Sequence, residues 1–133
     1  MKTDYADRAR ALVGTRFRPQ GRVPELGLDC AGLVLCAYKL PGDLVRRDYH
    51  LRGNHGAEMM RELARVFRRI EPSCRRAGDL LLMQVAADQW HLGIITEIGF
   101  VHADARIGKV VETPGLPVWP ILAAYRRRAR VKT

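Results

Sequence analysis

The sequence predicts an α+β fold, a single domain in which N-terminal helices pack on one face of a mostly antiparallel sheet. Three observations carry this. Helical spacing of apolar residues is confined to the part before Pro72, short β-like runs follow it, and the two patterns are segregated instead of alternating. The length of 133 residues, 47% apolar and 28% charged, fits one domain over residues 1–133 with a core that needs no disulfide or metal staple.

The first element is a helix over Asp4 to Val13, with Tyr5, Ala9, Leu12 and Val13 at helical spacing and Gly14 as its stop. Thr15 to Leu28 reads as a loop punctuated by Pro19, Gly21, Pro24 and Gly27. Asp29 then caps a second helix running to about Leu40, where Pro41-Gly42 ends it. Cys30, Leu33, Val34 and Ala37 share one face of that helix, and Cys36 points elsewhere. A third helix is predicted over His55 to Ile70, with Met59, Leu63, Val66, Phe67 and Ile70 on one side and Arg61, Arg65, Arg68 and Arg69 on the other. Beyond Pro72, runs at Asp79 to Ala86, His91 to Glu97, Phe100 to Ala105 and Lys109 to Thr113 predict an antiparallel meander. Ile121 to Val131 fits helix or strand by pattern, and Pro117 and Pro120 argue for a turn followed by a basic edge strand.

Twenty-three Lys and Arg against 14 Asp and Glu give a formal charge of +9, which favours an anionic partner such as nucleic acid, an acidic lipid surface or a charged cell-wall polymer. No stretch has the length of a membrane span, and Met1 to Gly14 lacks an apolar signal core, so synthesis in the cytoplasm without a signal peptide is expected. Three cysteines, Cys30, Cys36 and Cys74, without a C-x-x-C pair, argue for reduced thiols and against a cysteine zinc site. His50 and His55 have no cysteine pair to complete a site and read as loop residues, so neither a metal nor an organic cofactor is expected.

Cys30 is the residue through which this sequence offers chemistry. It follows an N-cap, where unpaired backbone N–H groups and the helix dipole are expected to stabilise a thiolate and lower the thiol pKa. An isolated cysteine there is more often a core residue, so further groups must support the assignment. His91 and His102 supply them. They lie eleven residues apart in successive strands, and any two-residue turn between those strands projects both from one face, together with Asp104. A turn centred on Thr96-Glu97 sets the histidines directly opposite, about 5 Å apart at Cα, whereas one centred on Ile98-Gly99 offsets them by about 13 Å. A helix-start cysteine, a histidine base and a polar group orienting that base are what thiolate acyl transfer requires.

Leu28-Asp29-Cys30-Ala31-Gly32-Leu33-Val34, Gly78-Asp79-Leu80-Leu81, His91-Leu92-Gly93-Ile94-Ile95 and Phe100-Val101-His102-Ala103 resemble, in order and spacing, the NlpC family of papain-like cell-wall cysteine peptidases. The resemblance runs from about Tyr5 to the end. It implies a papain-like fold, Cys30 as nucleophile, His91 as general base and acid, and His102 as the residue orienting the imidazole, with Asp104 as the other candidate for that role. It also implies a peptidoglycan stem peptide as substrate, cut after a γ-linked D-glutamate, with Asp29 placed to contact a substrate amino group. Two positions depart from the family pattern: Phe17 stands at what looks like the position of a family tyrosine, so a hydroxyl that would help the site is missing, and Ala31 replaces a serine. The segment Asp43 to Pro72 resembles versions encoded in phage-tail or gene-transfer-agent clusters, which implies particle proteins as partners and delivery of the domain by a phage-like particle.

Two other readings belong to different classes. A tail structural or assembly protein can keep a peptidase fold without activity, and a Cys30 thiol titrating near the free value of about 8.5 would mark it. Nucleic-acid binding through the arginine-rich segments is disfavoured because few aromatic residues interleave with them and no recognition motif is present.

Overall fold

The computed structural model describes residues 4–45 and 55–128; His50 and part of the Asp43 to Pro72 segment lie outside the described residues. Helix α1 (Tyr5–Ala11) starts under an Asp4 cap whose Oδ1 accepts the Asp7 amide at 3.1 Å. After it, Gly14 takes a φ of +96°, and the Gly14 amide donates to the Val110 carbonyl at 2.9 Å, stitching the turn to the sheet. The predicted loop holds a two-stranded hairpin, β1 (Arg22–Val23) and β2 (Gly27–Leu28).

Helix α2 (Cys30–Ala37) is buried at every position except Cys36, because it lies beneath α1 and against the sheet. Its Asp29 cap forms as predicted, Oδ1 accepting the Gly32 amide at 2.8 Å. The helix ends short of Leu40. Lys39 adopts the left-handed conformation (φ 53°), the Leu40 amide reaches the Leu35 carbonyl at 2.8 Å and the Lys39 amide reaches that of Cys36 at 3.2 Å, a Schellman closure that satisfies the last carbonyls.

The third predicted helix is corrected. Helix α3 spans only His55–Leu63, and Phe67–Ile70 is a strand, β3. Met59, Leu63 and Phe67 are all buried as helical spacing would place them, yet β3 pairs with the C-terminal strand, and those ladder hydrogen bonds lie beyond the view of local periodicity. The meander follows as β4 (Leu80–Ala86), β5 (Gln89–Ile95), β6 (Gly99–Asp104) and β7 (Lys109–Pro114), and the chain returns as β8 (Ile121–Arg127). The six-stranded antiparallel sheet has the order β3-β8-β4-β5-β6-β7. The expected basic edge strand is thus an interior one: β8 lies between β3 and β4, and β3 forms the edge.

Both sheet faces are covered near the centre, which explains the unbroken apolar run Leu80 to Met83. Leu80, Leu82, Leu92, Ile94 and Val101 meet the helices, while Leu81, Met83 and Phe100 form a second cluster with Trp119 and Ile121. Arg126 locks β8 to the turn before β4: its Nε and Nη2 each reach the buried Asp79 carboxylate at 2.9 Å.

Candidate active site

A cavity of about 620 Å³ lies over the start of α2, bordered among others by Phe17, Asp29, Cys30, His91, His102 and Trp119. The sheet itself opens there. The β5–β6 ladder holds only the pairs Ile94↔Val101 and Ile95↔Phe100. The Ile95 amide donates toward β4, to the Asp79 carbonyl at 2.9 Å, so by alternation the Leu92 amide faces the opposite side, where β6 has turned away. That amide acts as a donor to the Cys30 sulfur, and the gap between the strands seats the helix start.

The register lies between the two expected from sequence. The Thr96 amide meets the Gly99 carbonyl at 2.9 Å and the Gly99 amide meets Thr96 Oγ1 at 3.1 Å, a hairpin centred on Glu97-Ile98. Continued past the gap, this register would set His91 across from Asp104 and diagonal to His102. The two histidines do share a face, and the diagonal is short enough: His91 Nε2 lies 3.0 Å from His102 Nδ1, the rings nearly perpendicular with centroids 5.1 Å apart. His102 is 2% exposed, and its Nε2 lies 2.9 Å from Thr113 Oγ1 on β7. Asp104 takes a different role. Its Oδ1 accepts the Arg106 and Ile107 amides at 2.8 and 3.1 Å and closes the β6–β7 turn; partial burial pushes its pKa up, but these donors hold it below the ordinary carboxylate value.

Trp119, from the proline-flanked turn, presents near-perpendicular rings to both His91 (5.6 Å) and His102 (5.7 Å), and Phe100 stacks on His102 at 4.7 Å. Asp29 is heavily engaged within the chain: besides its cap, Oδ1 lies 2.8 Å from Arg22 Nη1 and Oδ2 accepts the Gln20 amide at 3.0 Å. Phe17 borders the cavity on a loop tied to Gly108 through its own amide, at 2.8 Å. Sequence reasoning missed Thr113, Trp119 and Arg22. Thr113 sits across from Phe100, on the His102 face, and only the β6–β7 register reveals it.

The electrostatics correct one expectation. The Cys30 thiol is pushed up, not down: burial is the main cause and the Asp29 carboxylate adds to it, outweighing the Leu92 and Ala31 amides and the Arg22 charge. His91 moves the opposite way, to about 4, through burial and the neighbouring His102, against the pull of Asp104. His102 is lowered as well, first by burial. At neutral pH the thiol and both imidazoles therefore rest uncharged. Among the described residues no group of three or more His, Cys, Asp or Glu side chains is arranged to hold a metal ion.

The His91 shift makes stability depend on pH. An unfolded histidine binds its proton near pH 6.5, before the folded one does, so stability is complete above that pH and falls as the pH drops toward 4, by about 3 kcal/mol from this group. Urea unfolding of wild type and His91→Asn at pH 7 and pH 4.5 measures this. The variant should lose less stability on acidification; an equal loss in both proteins would remove His91 as the cause.

The sequence profile of the NlpC/P60 family matches residues 14–117. Among solved structures, the NlpC/P60 domain of the peptidoglycan hydrolase SagA is 21% identical, with 83% of this chain and 86% of that one covered at a TM-score of 0.59. The peptidoglycan hydrolase RipB of Mycobacterium tuberculosis is 20% identical, with 92% of this chain and 62% of that one covered at a TM-score of 0.60. At such identities the likeness is one of fold, and it agrees with the expected papain-like α+β class. No curated protein matches the sequence. The matched span runs from the loop carrying Phe17, through α2 and both histidine strands, to the turn before Trp119, and on this ground the chain belongs to the NlpC/P60 family.

Proposed function

We propose that the chain is a cysteine peptidase that hydrolyses amide bonds in peptidoglycan stem peptides, after the γ-linked D-glutamate. One observation carries the reading: Cys30, at the start of α2, shares a cavity with His91 and His102, which are hydrogen-bonded in series to Thr113 behind them. The titration shifts call for base-assisted attack from a neutral pair. His91 Nε2 is occupied by His102, which leaves Nδ1 for the thiol proton. For Nδ1 to accept that proton, Nε2 must carry the ring hydrogen and donate to His102 Nδ1; His102 Nε2 then donates to Thr113 Oγ1. Thr113, accepting in this arrangement, holds the His102 ring in place behind the base.

In the reaction the sulfur bonds to the amide carbonyl carbon as His91 takes its proton, and backbone N–H groups near the helix start hold the oxyanion. The carbon–nitrogen bond breaks as His91 returns the proton to the leaving amine. Water, deprotonated by His91, then cleaves the thioester and restores the thiol. Asp29, at the cavity wall, is the group for a substrate amino end, and Phe17 supplies an apolar wall on the loop. Thr113→Val should lower kcat about tenfold at pH 7 with KM little changed, because it removes an orienting hydrogen bond and no substrate contact. A steady-state assay on a soluble stem peptide reads this, and an unchanged kcat refutes the orienting role.

Purified chain incubated with peptidoglycan should release peptides with new amino termini on the carboxyl side of γ-D-glutamate, read by mass spectrometry. Release at another bond would overturn the cleavage site, and no release anywhere between about pH 5 and pH 9 would overturn the enzyme. One observation favours a second reading, a tail structural or assembly protein that keeps the fold: Cys30 is only 7% exposed and its thiol is raised. The same assay separates the two. We also infer that the chain is made in the cytoplasm and carried by a phage-tail or gene-transfer-agent particle, from the resemblance of the Asp43 to Pro72 segment; mass spectrometry of purified particles tests this.

A further inference from the structure

Edge strand β3 and its neighbour β8 carry arginines for which the cleft has no use. Arg68 and Arg69 are exposed on β3, Arg126 and Arg127 lie on β8, Arg128 follows them, and Arg76 is exposed in the turn before β4. One of these six, Arg126, meets a carboxylate, that of Asp79. Arg127 Nη1 donates to the Val66 carbonyl at 3.2 Å, and Arg128 Nε to those of Ala64 and Phe67 at 3.3 and 3.1 Å. Such contacts fix a guanidinium in place and leave its charge uncompensated. Among the described residues the side chains of Arg68, Arg69 and Arg76 make no ion pair or hydrogen bond.

The register sets Arg68 directly across from Arg126, whose guanidinium Asp79 already holds, so the Arg68 charge has no carboxylate of its own. A charge or two is enough to keep a sheet edge from pairing with another strand. Six arginines exceed that need: Arg68 and Arg126 project from one face of the edge and Arg69 and Arg127 from the other, and Arg76 is brought to the Arg126 side because its amide and the Arg126 guanidinium share the Asp79 carboxylate. Guanidinium groups suit phosphate, which they engage through two parallel N–H bonds. The strip has little with which to read bases: Phe67 is 1% exposed and turned inward, and what borders solvent is the edge of a sheet, not a helix that could enter a groove.

We propose that this edge is a binding site for a linear, phosphodiester-bearing polymer of the cell wall, which keeps the domain on its insoluble substrate while the cleft works. Strand β3 stands three places from β5, about 14 Å across the sheet, so a polymer along the edge leaves the cavity open. Choosing the wall as the source of the phosphates rests on the peptidase reading; the binding itself does not.

The test uses the full chain, folded and without substrate, so catalytic failure and binding failure are read separately. Fluorescence anisotropy follows a labelled poly(glycerol phosphate) of about 20 repeats at increasing salt, beside a DNA duplex with the same number of phosphates. Binding is expected at about 50 mM salt, with log K falling linearly in log salt. The triple variant R68Q/R69Q/R76Q should bind at least tenfold more weakly and lose about 2 from the slope, at about 0.7 per lost phosphate contact, with its unfolding midpoint unchanged. Absence of binding, or a variant indistinguishable from wild type, overturns the site. Tighter binding to the duplex than to the polymer also overturns it and assigns the edge to nucleic acid.

Discussion

Cys30→Ala should abolish peptide release from peptidoglycan, a loss of at least about four orders of magnitude, because no other thiol or hydroxyl nucleophile stands among the described residues that border the cavity. The fold should survive it. Removing one buried sulfur leaves a small void, worth about 1 kcal/mol, and the Asp29 cap that organises the helix start stays in place. Cys36→Ala is the matched control: its sulfur lies outside the described cavity lining and donates to the Arg22 carbonyl at 3.6 Å, so activity should persist. Retained hydrolysis in Cys30→Ala, with circular dichroism showing native structure in both variants, would refute the nucleophile assignment.

The second large effect lies two residues along the same helix. At Gly32 a methyl group would overlap the Gly21 carbonyl oxygen and press on Leu28 Cδ2 at 3.2 Å. Gly21 is in turn closed against the Gly27 carbonyl, so the loop has backbone behind it and little room to yield. Gly32→Ala should cost about 3 kcal/mol, lowering Tm by about 10 °C, even though alanine is the better helix former. Activity should fall with it, since Gln20 and Arg22 both hold Asp29, the residue before Cys30, and would be displaced with the loop. Gly42→Ala, with nothing within 4 Å, should leave Tm unchanged. Equal melting of wild type and Gly32→Ala would show that the loop relaxes freely.

How much of this could be read beforehand depended on how local the cause was. Asp29 followed by an apolar run marks a capped helix, and it formed where expected, since a cap involves four consecutive residues. The four meander strands were legible for a similar reason, being short runs with turn residues between them. Phe67 to Ile70 was not: Phe67 and Ile70 continue the spacing of Met59 and Leu63, and what makes them a strand is a partner nearly sixty residues away. Parity put His91 and His102 on one face, but their contact depends on a hairpin centre at Glu97-Ile98 and on the strands separating beyond Ile94. The Cys30 thiol moved against expectation because its helix start is buried by the rest of the fold, a tertiary effect that no neighbouring residue announces.

The position of β8 sets an order on folding. Strands β4 to β7 can zip as successive local hairpins, quickly and without help from the rest of the chain. Phe67 to Ile70, made earlier on the ribosome than any of them, has no ladder to join until Ile121 to Arg127 has emerged and slotted in beside β4. During vectorial synthesis the molecule therefore waits with an open sheet flank and a buried-to-be Phe67 in water, and a nascent chain cut short before Ile121 would expose both to aggregation.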